Sequence, residues 1–219
     1  MINRLFPTLL FFICFFYSLP QTAKAQNNEW ENPAKYEWNK ERPHADFRLY
    51  EQSEDAVNDK PRKWQHSLNG VWKFIYAPTI AASIKDFYRI DLPDSNWDTI
   101  TVPSNWEIQG FGEPIIRNIQ YVFSSNPPYI DVDNPVGTYR RTFTVPRNWQ
   151  EREVFLHFGS ISGYARIYVN GQQVGMTKAS KTPADKLFEK RRELACCTGV
   201  SPARWQLYGR PGFLATDRD

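Results

Sequence analysis

The side chains that could do chemistry are few and scattered along the chain. His44, His66 and His157 stand far apart, and isolated histidines are more often surface or packing residues than metal ligands. Cys14 lies in an N-terminal apolar run, while Cys196 and Cys197 are adjacent. Neighbouring cysteines rarely meet disulfide geometry, and no Cys-x-x-Cys or Cys/His spacing offers a metal a site. Paired carboxylates could act as general acid and base. The candidates Glu107, Glu113, Asp131 and Asp133 all fall in one long proline-, asparagine- and aromatic-rich stretch, 102–137, and they read as solvated loop charges. A loop of this length on a rigid scaffold is a place where recognition residues sit.

The elements that would carry this loop are strands. After Asn69-Gly70, Trp72, Phe74 and Tyr76 fall on one face of an alternating run. Tyr139, Arg141, Phe143 and Val145 alternate with Arg140, Thr142 and Thr144, which predicts one largely apolar and one polar face. Val154, Leu156 and Phe158 form another apolar face, as do Ala165, Ile167 and Val169. Asn170-Gly171 then supplies a tight hairpin turn before Gln172. Short alternating strands separated by Pro- and Gly-rich loops, with no long amphipathic helix, predict an all-β chain folded as an antiparallel β-sandwich.

Residues 1–25 carry Arg4, the apolar run 9–16 and the small-x-small triplet Ala23-Lys24-Ala25. The run is shorter than the roughly 20 residues that span a bilayer, so the segment reads as a secretory signal peptide cut after Ala25, giving a secreted or periplasmic protein with no membrane anchor. Its removal takes two basic residues and no acid from a net charge of +3. The near-neutral remainder offers nucleic acid nothing. Residues 26–66, interrupted by Pro33, Pro43 and Pro61, read as an extended arm lying on the domain.

Several ordered motifs carry a specific resemblance. Ser67-Leu68-Asn69-Gly70-Val71-Trp72-Lys73-Phe74 is followed by Val102-Pro103-Ser104-Asn105-Trp106, then by Asn126-Pro127-Pro128-Tyr129. Asn134-Pro135-Val136-Gly137-Thr138-Tyr139-Arg140-Arg141 and Tyr168-Val169-Asn170-Gly171-Gln172-Gln173-Val174-Gly175 come after these. Over roughly residues 30 to 184 the chain resembles the N-terminal jelly-roll domain, galactose-binding-domain-like, of family 2 β-galactosidases. The resemblance implies that Asn105 reaches a galactoside substrate. A carboxamide suits that role because it donates and accepts at once. Trp106 either stacks on the sugar or packs the loop to its sheet. The resemblance also implies a retaining hydrolysis by two carboxylates, which belong to a catalytic barrel not contained in this chain. The magnesium and sodium ions of the family belong to the full-length enzyme, and so does oligomerisation; no cofactor or metal is assigned to this chain.

The jelly-roll domain is expected over 67–184, followed by an aberrant tail, 185–219, that does not match the family pattern. A family member should run on to an Asp-Gly-Ser-Tyr segment, then Glu-Asp-Gln-Asp with Trp-Arg close behind. Arg204 to Asp219, written in permitted codons and read from the second base of each, spells Asp-Gly-Ser-Tyr-Met-Glu-Asp-Gln-Asp-Phe-Trp-Arg-Leu-Thr-Gly. Glu189 to Ala203 likewise permits Lys-Asn-Gly-Glu-Asn-Leu-Leu-Ala-Val-Gln-Val-Tyr-Arg-Gln-His. The expectation is a frameshift near Ala184 to Lys186, a truncated product with an unpaired strand edge, and no hydrolase activity. Two other readings stay open: a secreted, non-catalytic carbohydrate-binding module, and a fragment of a β-glucuronidase or β-mannosidase of the same family.

Overall fold

The computed structural model describes residues 28–43, 50–60, 64–113, 126, 128–130, 134–149, 153–178, 180–188, 195–200 and 212–216, of which 153, 185–188, 195–200 and 212–216 enter as backbone. The expected signal segment, and Asp131 and Asp133, lie outside the described residues. The strands are β1 (Glu37–Trp38), β2 (Gln65–Ser67), β3 (Gly70–Ala77), β4 (Asp98–Val102), β5 (Val136–Arg141), β6 (Glu153–Phe158), β7 (Tyr164–Val169), β8 (Gln172–Thr177), β9 (Ala184–Phe188), β10 (Ala195–Val200) and β11 (Gly212–Thr216). A single short helix, α1 (Ser53–Val57), interrupts the arm among the described residues.

Two antiparallel sheets form, one in the order β1-β8-β7-β10-β5-β3-β4 and the other β2-β11-β6-β9. The apolar faces read from the sequence meet between them. Trp72, Phe74, Tyr139, Val154, Leu156, Phe158, Ala165, Ile167 and Val169 belong to one buried cluster with Leu68, Ile100 and Trp149. Asn170 and Gly171 adopt φ of 51° and 80°, the left-handed pair that a two-residue hairpin between β7 and β8 demands. The arm is tied down at the far edge of the larger sheet: β1 pairs with β8, Glu37 opposite Thr177, and the Trp30 ring leans on Tyr164 at 6.1 Å. The Tyr164 hydroxyl donates to the Glu29 carboxylate.

Two expectations are corrected. The alternation in β5 predicts one polar face, and polar faces are ordinarily solvated, yet Thr138 and Arg140 are buried, Arg140 only 2% exposed. The loop between β3 and β4 folds over that face. Arg140 donates to the carbonyls of Leu92 (2.8 Å), Arg89 (2.5 Å) and Ile90 (3.3 Å), with Asp94 at 3.7 Å and the Trp97 ring beneath its guanidinium at 5.7 Å. A planar five-donor head can satisfy several carbonyls at once, which is why arginine and not lysine closes this loop. The second correction concerns the tail. Strands do not stop at 184: β9 pairs with β6, β11 lies between β2 and β6, and β10 fills the slot between β5 and β7. The edge that loss of a last strand would have bared is paired by the chain's own backbone.

Replacing Arg140 by alanine would leave three carbonyls and Asp94 without their buried donor, and is expected to cost about 3 kcal/mol of stability in urea denaturation. Arg89→Ala, which removes only an exposed pair with Asp91, should leave the urea midpoint unchanged.

Candidate functional site

The loop after β4 starts at a cis Val102–Pro103 bond and crosses the inner side of the larger sheet. Trp106 is its anchor. The ring is 2% exposed and lies against Phe74 at 6.2 Å and Tyr76 at 5.5 Å, and Phe111 packs edge-on to Phe74 at 4.7 Å. The ring rests directly on Gly137 of β5, where a Cβ would stand 2.6 Å from it. Trp106 therefore packs the loop to its sheet, and neither of its faces is open to a ligand.

Seven residues beyond the end of β4, the same sheet holds the loop a second time. Gln109 lies beside edge strand β4 and takes the place of a neighbouring strand. Its Oε1 accepts from the Thr101 amide at 2.8 Å, and its Nε2 donates to the Thr101 carbonyl at 2.9 Å. A 3₁₀ turn, Glu107–Gln109, joins the two anchors and ends at Gly110, whose φ of 91° favours glycine. The backbone amides of Gln109 and Phe111 both donate to the Trp106 carbonyl, at 3.0 and 3.1 Å. Asn105 sits between the cis proline and the anchored tryptophan, half-buried, in an isolated backbone bridge.

The electrostatics around the anchor come from two glutamates. Burial, and then the charges of Glu107 and Glu113, hold the Tyr76 hydroxyl above its ordinary pKa, so it stays a neutral donor. Tyr76 also abuts Gly112, where a Cβ would meet its hydroxyl at 2.7 Å. Glu107 is not the solvated charge its loop position suggests: it is half-buried, and its Oε2 is shielded from solvent with no hydrogen-bond partner among the described residues. Glu113 is exposed. His66 and His157 sit on β2 and β6 of the smaller sheet, with β11 between those strands, and are placed by β-pairing. Among the described residues no group of three or more His, Cys, Asp or Glu could hold a metal ion.

Asn105 and Trp106 were visible in the sequence. Gln109 and Gly137 were not singled out as partners of the loop. A glutamine eight residues from its backbone partner carries no local signal, whereas the glycine could have been questioned, because an interior strand position gains nothing from glycine unless something approaches closely.

Comparison with known proteins places the chain in a family. Residues 65–217 match the model of the glycosyl hydrolases family 2 sugar binding domain, a match that runs on through β9, β10 and β11. The β-galactosidase of Psychromonas ingrahamii is 35% identical over 157 residues, covering 72% of this chain and 15% of that protein. Among solved structures, a Bacteroides uniformis β-glucuronidase superposes with a TM-score of 0.52 at 19% identity, over 69% of this chain and 18% of that one. A β-glucuronidase from an uncultured Clostridium species does so with 0.52 at 17% identity, over 72% and 30%. These two likenesses are of fold. The chain spans only 15% of the length of its β-galactosidase relative. From the family match and that identity together, the chain belongs to the glycosyl hydrolases of family 2, as their sugar binding domain.

Proposed function

We propose that this domain presents Asn105 to the hydroxyls of a β-galactoside, as one wall of the substrate site of a retaining β-galactosidase. The two catalytic carboxylates are supplied elsewhere in that enzyme. The observation that carries this reading is the double anchorage of the loop, by Trp106 on Gly137 and by Gln109 on Thr101, on either side of a half-buried asparagine. A side chain that must meet sugar hydroxyls gains from a backbone already fixed. The 35% identity to a protein named β-galactosidase supports galactose as the sugar. The magnesium and sodium of the family belong to the assembled enzyme, and the N-terminal segment serves as a secretory signal.

The segment 189–219 is proposed to be this domain's proper coding sequence read one base out of frame. Its shifted reading restores an alternating strand and the Asp-Gly-Ser-Tyr segment that the family resemblance calls for. Neither Cys196-Cys197 nor Lys190-Arg191-Arg192 then has a functional role.

The loop assignment is tested by titrating the chain with isopropyl β-thiogalactoside while following amide chemical shifts. Shifts should centre on residues 103–106, with a weak dissociation constant on the order of millimolar. Asn105→Ala should weaken binding at least tenfold with its thermal midpoint unaltered. Equal binding by the alanine variant would sink the role of Asn105, and turnover of a nitrophenyl galactoside by the chain itself would sink the placement of the catalytic pair elsewhere. The frame assignment is tested by resequencing the encoding DNA from about codon 175 onward. A shifted frame continuing into a barrel with two catalytic glutamates is expected, and its absence defeats the reading.

A further inference from the structure

The loop that Arg140 gathers over the outer face of the larger sheet carries a flat ring. Tyr88 lies on Tyr168 of β7, the ring centroids 5.1 Å apart and the planes only 12° from parallel. Phe87 stands edge-on to both, at 5.6 Å from Tyr88 and 5.1 Å from Tyr168. The loop comes close to the sheet here: a Cβ on Gly171, in the turn after β7, would stand 3.5 Å from the Tyr88 carbonyl oxygen. Phe87 and Tyr168 are buried, whereas Tyr88 is half-buried. One face of the Tyr88 ring is thus taken by Tyr168 and one edge by Phe87, and its exposed part is the face turned away from the sheet.

The polar groups at the rim of this ring are held in place and only half used. The Tyr88 hydroxyl donates to Asp86 Oδ1 at 2.9 Å. Asp86 has a φ of 54°, a left-handed conformation that aspartate visits more readily than most residues, and its second oxygen has no partner among the described residues. The Tyr168 hydroxyl donates to Gln173 Oε1 at 3.3 Å, and the carboxamide nitrogen of Gln173 has no acceptor among the described residues. The hydrogen bond to Asp86, and then that residue's charge, hold the Tyr88 hydroxyl above its ordinary pKa, with a smaller push from Tyr168. Asp86 and Gln173 therefore stand near one another at the hydroxyl end of the stacked pair. A leucine would cover Tyr168 as well as Tyr88 does. The pair offers more than cover: a rigid aromatic face with an unused acceptor and an unused double donor beside it.

We propose that the outer face of Tyr88 is a second carbohydrate-binding platform, separate from the Asn105 loop, for a galactose ring of a β-linked glycan. The axial hydroxyl of galactose leaves the hydrogens of three adjacent carbons on one side of the ring, an apolar patch that lies flat on an aromatic face. Tyrosine suits such a partner because its body is apolar and its tip polar. The sugar's hydroxyls both donate and accept, so Asp86 accepts from one and Gln173 donates to another. The platform lies on the outer face of the larger sheet and the Asn105 loop on the inner face. It stands on the stacked pair alone, so it survives or fails independently of the role given to Asn105.

The test titrates the whole chain carrying Asn105→Ala, so that the inner loop is silent, with β-1,4-galactotetraose while amide chemical shifts are followed. Shifts should centre on residues 86–90 and 168–173, with a dissociation constant on the order of millimolar. Tyr88→Leu, which keeps Tyr168 covered, should abolish them with its melting midpoint retained, and Tyr88→Phe, which keeps the flat ring, should retain binding. Gln173→Ala, a change outside the stack, should weaken binding severalfold and stands in for Tyr88→Leu if that variant fails to fold. Absence of shifts in these two segments overturns the proposal, as does unchanged binding by Tyr88→Leu or Gln173→Ala. Cellotetraose, whose corresponding hydroxyl is equatorial, should bind more weakly; equal binding overturns the assignment to galactose.

Discussion

A tryptophan ring lies where a Cβ would otherwise stand, and much of the domain depends on that substitution of one residue's bulk for another's absence. Trp106 fills the space above Gly137, so a loop from one edge of the larger sheet is seated on its central strands. Interiors are packed to crystal density, and a ring of this size cannot be moved by a fraction of an ångström without displacing its neighbours. Phe74 and Tyr76 pack on it, and Phe111 and Tyr139 pack in turn on Phe74. The loop that carries Asn105 and the hydrophobic core are therefore one structure, and the placement of Asn105 derives from the same contacts that hold the sheets together.

The two faces of the larger sheet are closed by different physics. On the inner face, apolar side chains from both sheets interdigitate. On the outer face, one arginine gathers a loop by its carbonyls, and Tyr88, just before the first of them, stacks flat on Tyr168 at 5.1 Å. The loop is polar in its backbone and would be unstable without donors, and Arg140 supplies them where no strand can reach. The arm closes the sheet's far edge in a third way, by adding a two-residue strand and a carboxylate that accepts from Tyr164.

Much of this was legible in the residue order. The faces of β3, β6 and β7 follow from strict alternation, and the Asn170-Gly171 turn follows from the backbone conformations those residues tolerate. Asn105 stood out through the motif around it. The burial of Arg140 was not legible, because alternation tells which side a residue faces but not what covers that side, and the covering loop begins about fifty residues earlier. Gln109 was illegible for a related reason: its partner is a backbone, which has no identity in the sequence. The strands β9, β10 and β11 depend on main-chain pairing with β2, β5, β6 and β7, a capacity almost any sequence retains, so side-chain alternation did not announce them.

The clasp between Gln109 and Thr101 carries a chemical lifetime. It works because one carboxamide offers an acceptor and a donor in the spacing of a peptide unit. Hydrolysis of that amide to a carboxylic acid, the slow ageing reaction of glutamine side chains, would set a negative charge against the Thr101 carbonyl and remove the donor. The edge of the sheet would then be pushed away from the loop it steadies. Hydrolysis at this one side chain would thus register as a loosening of β4 and of the asparagine-bearing turn beside it, while the buried core stayed intact.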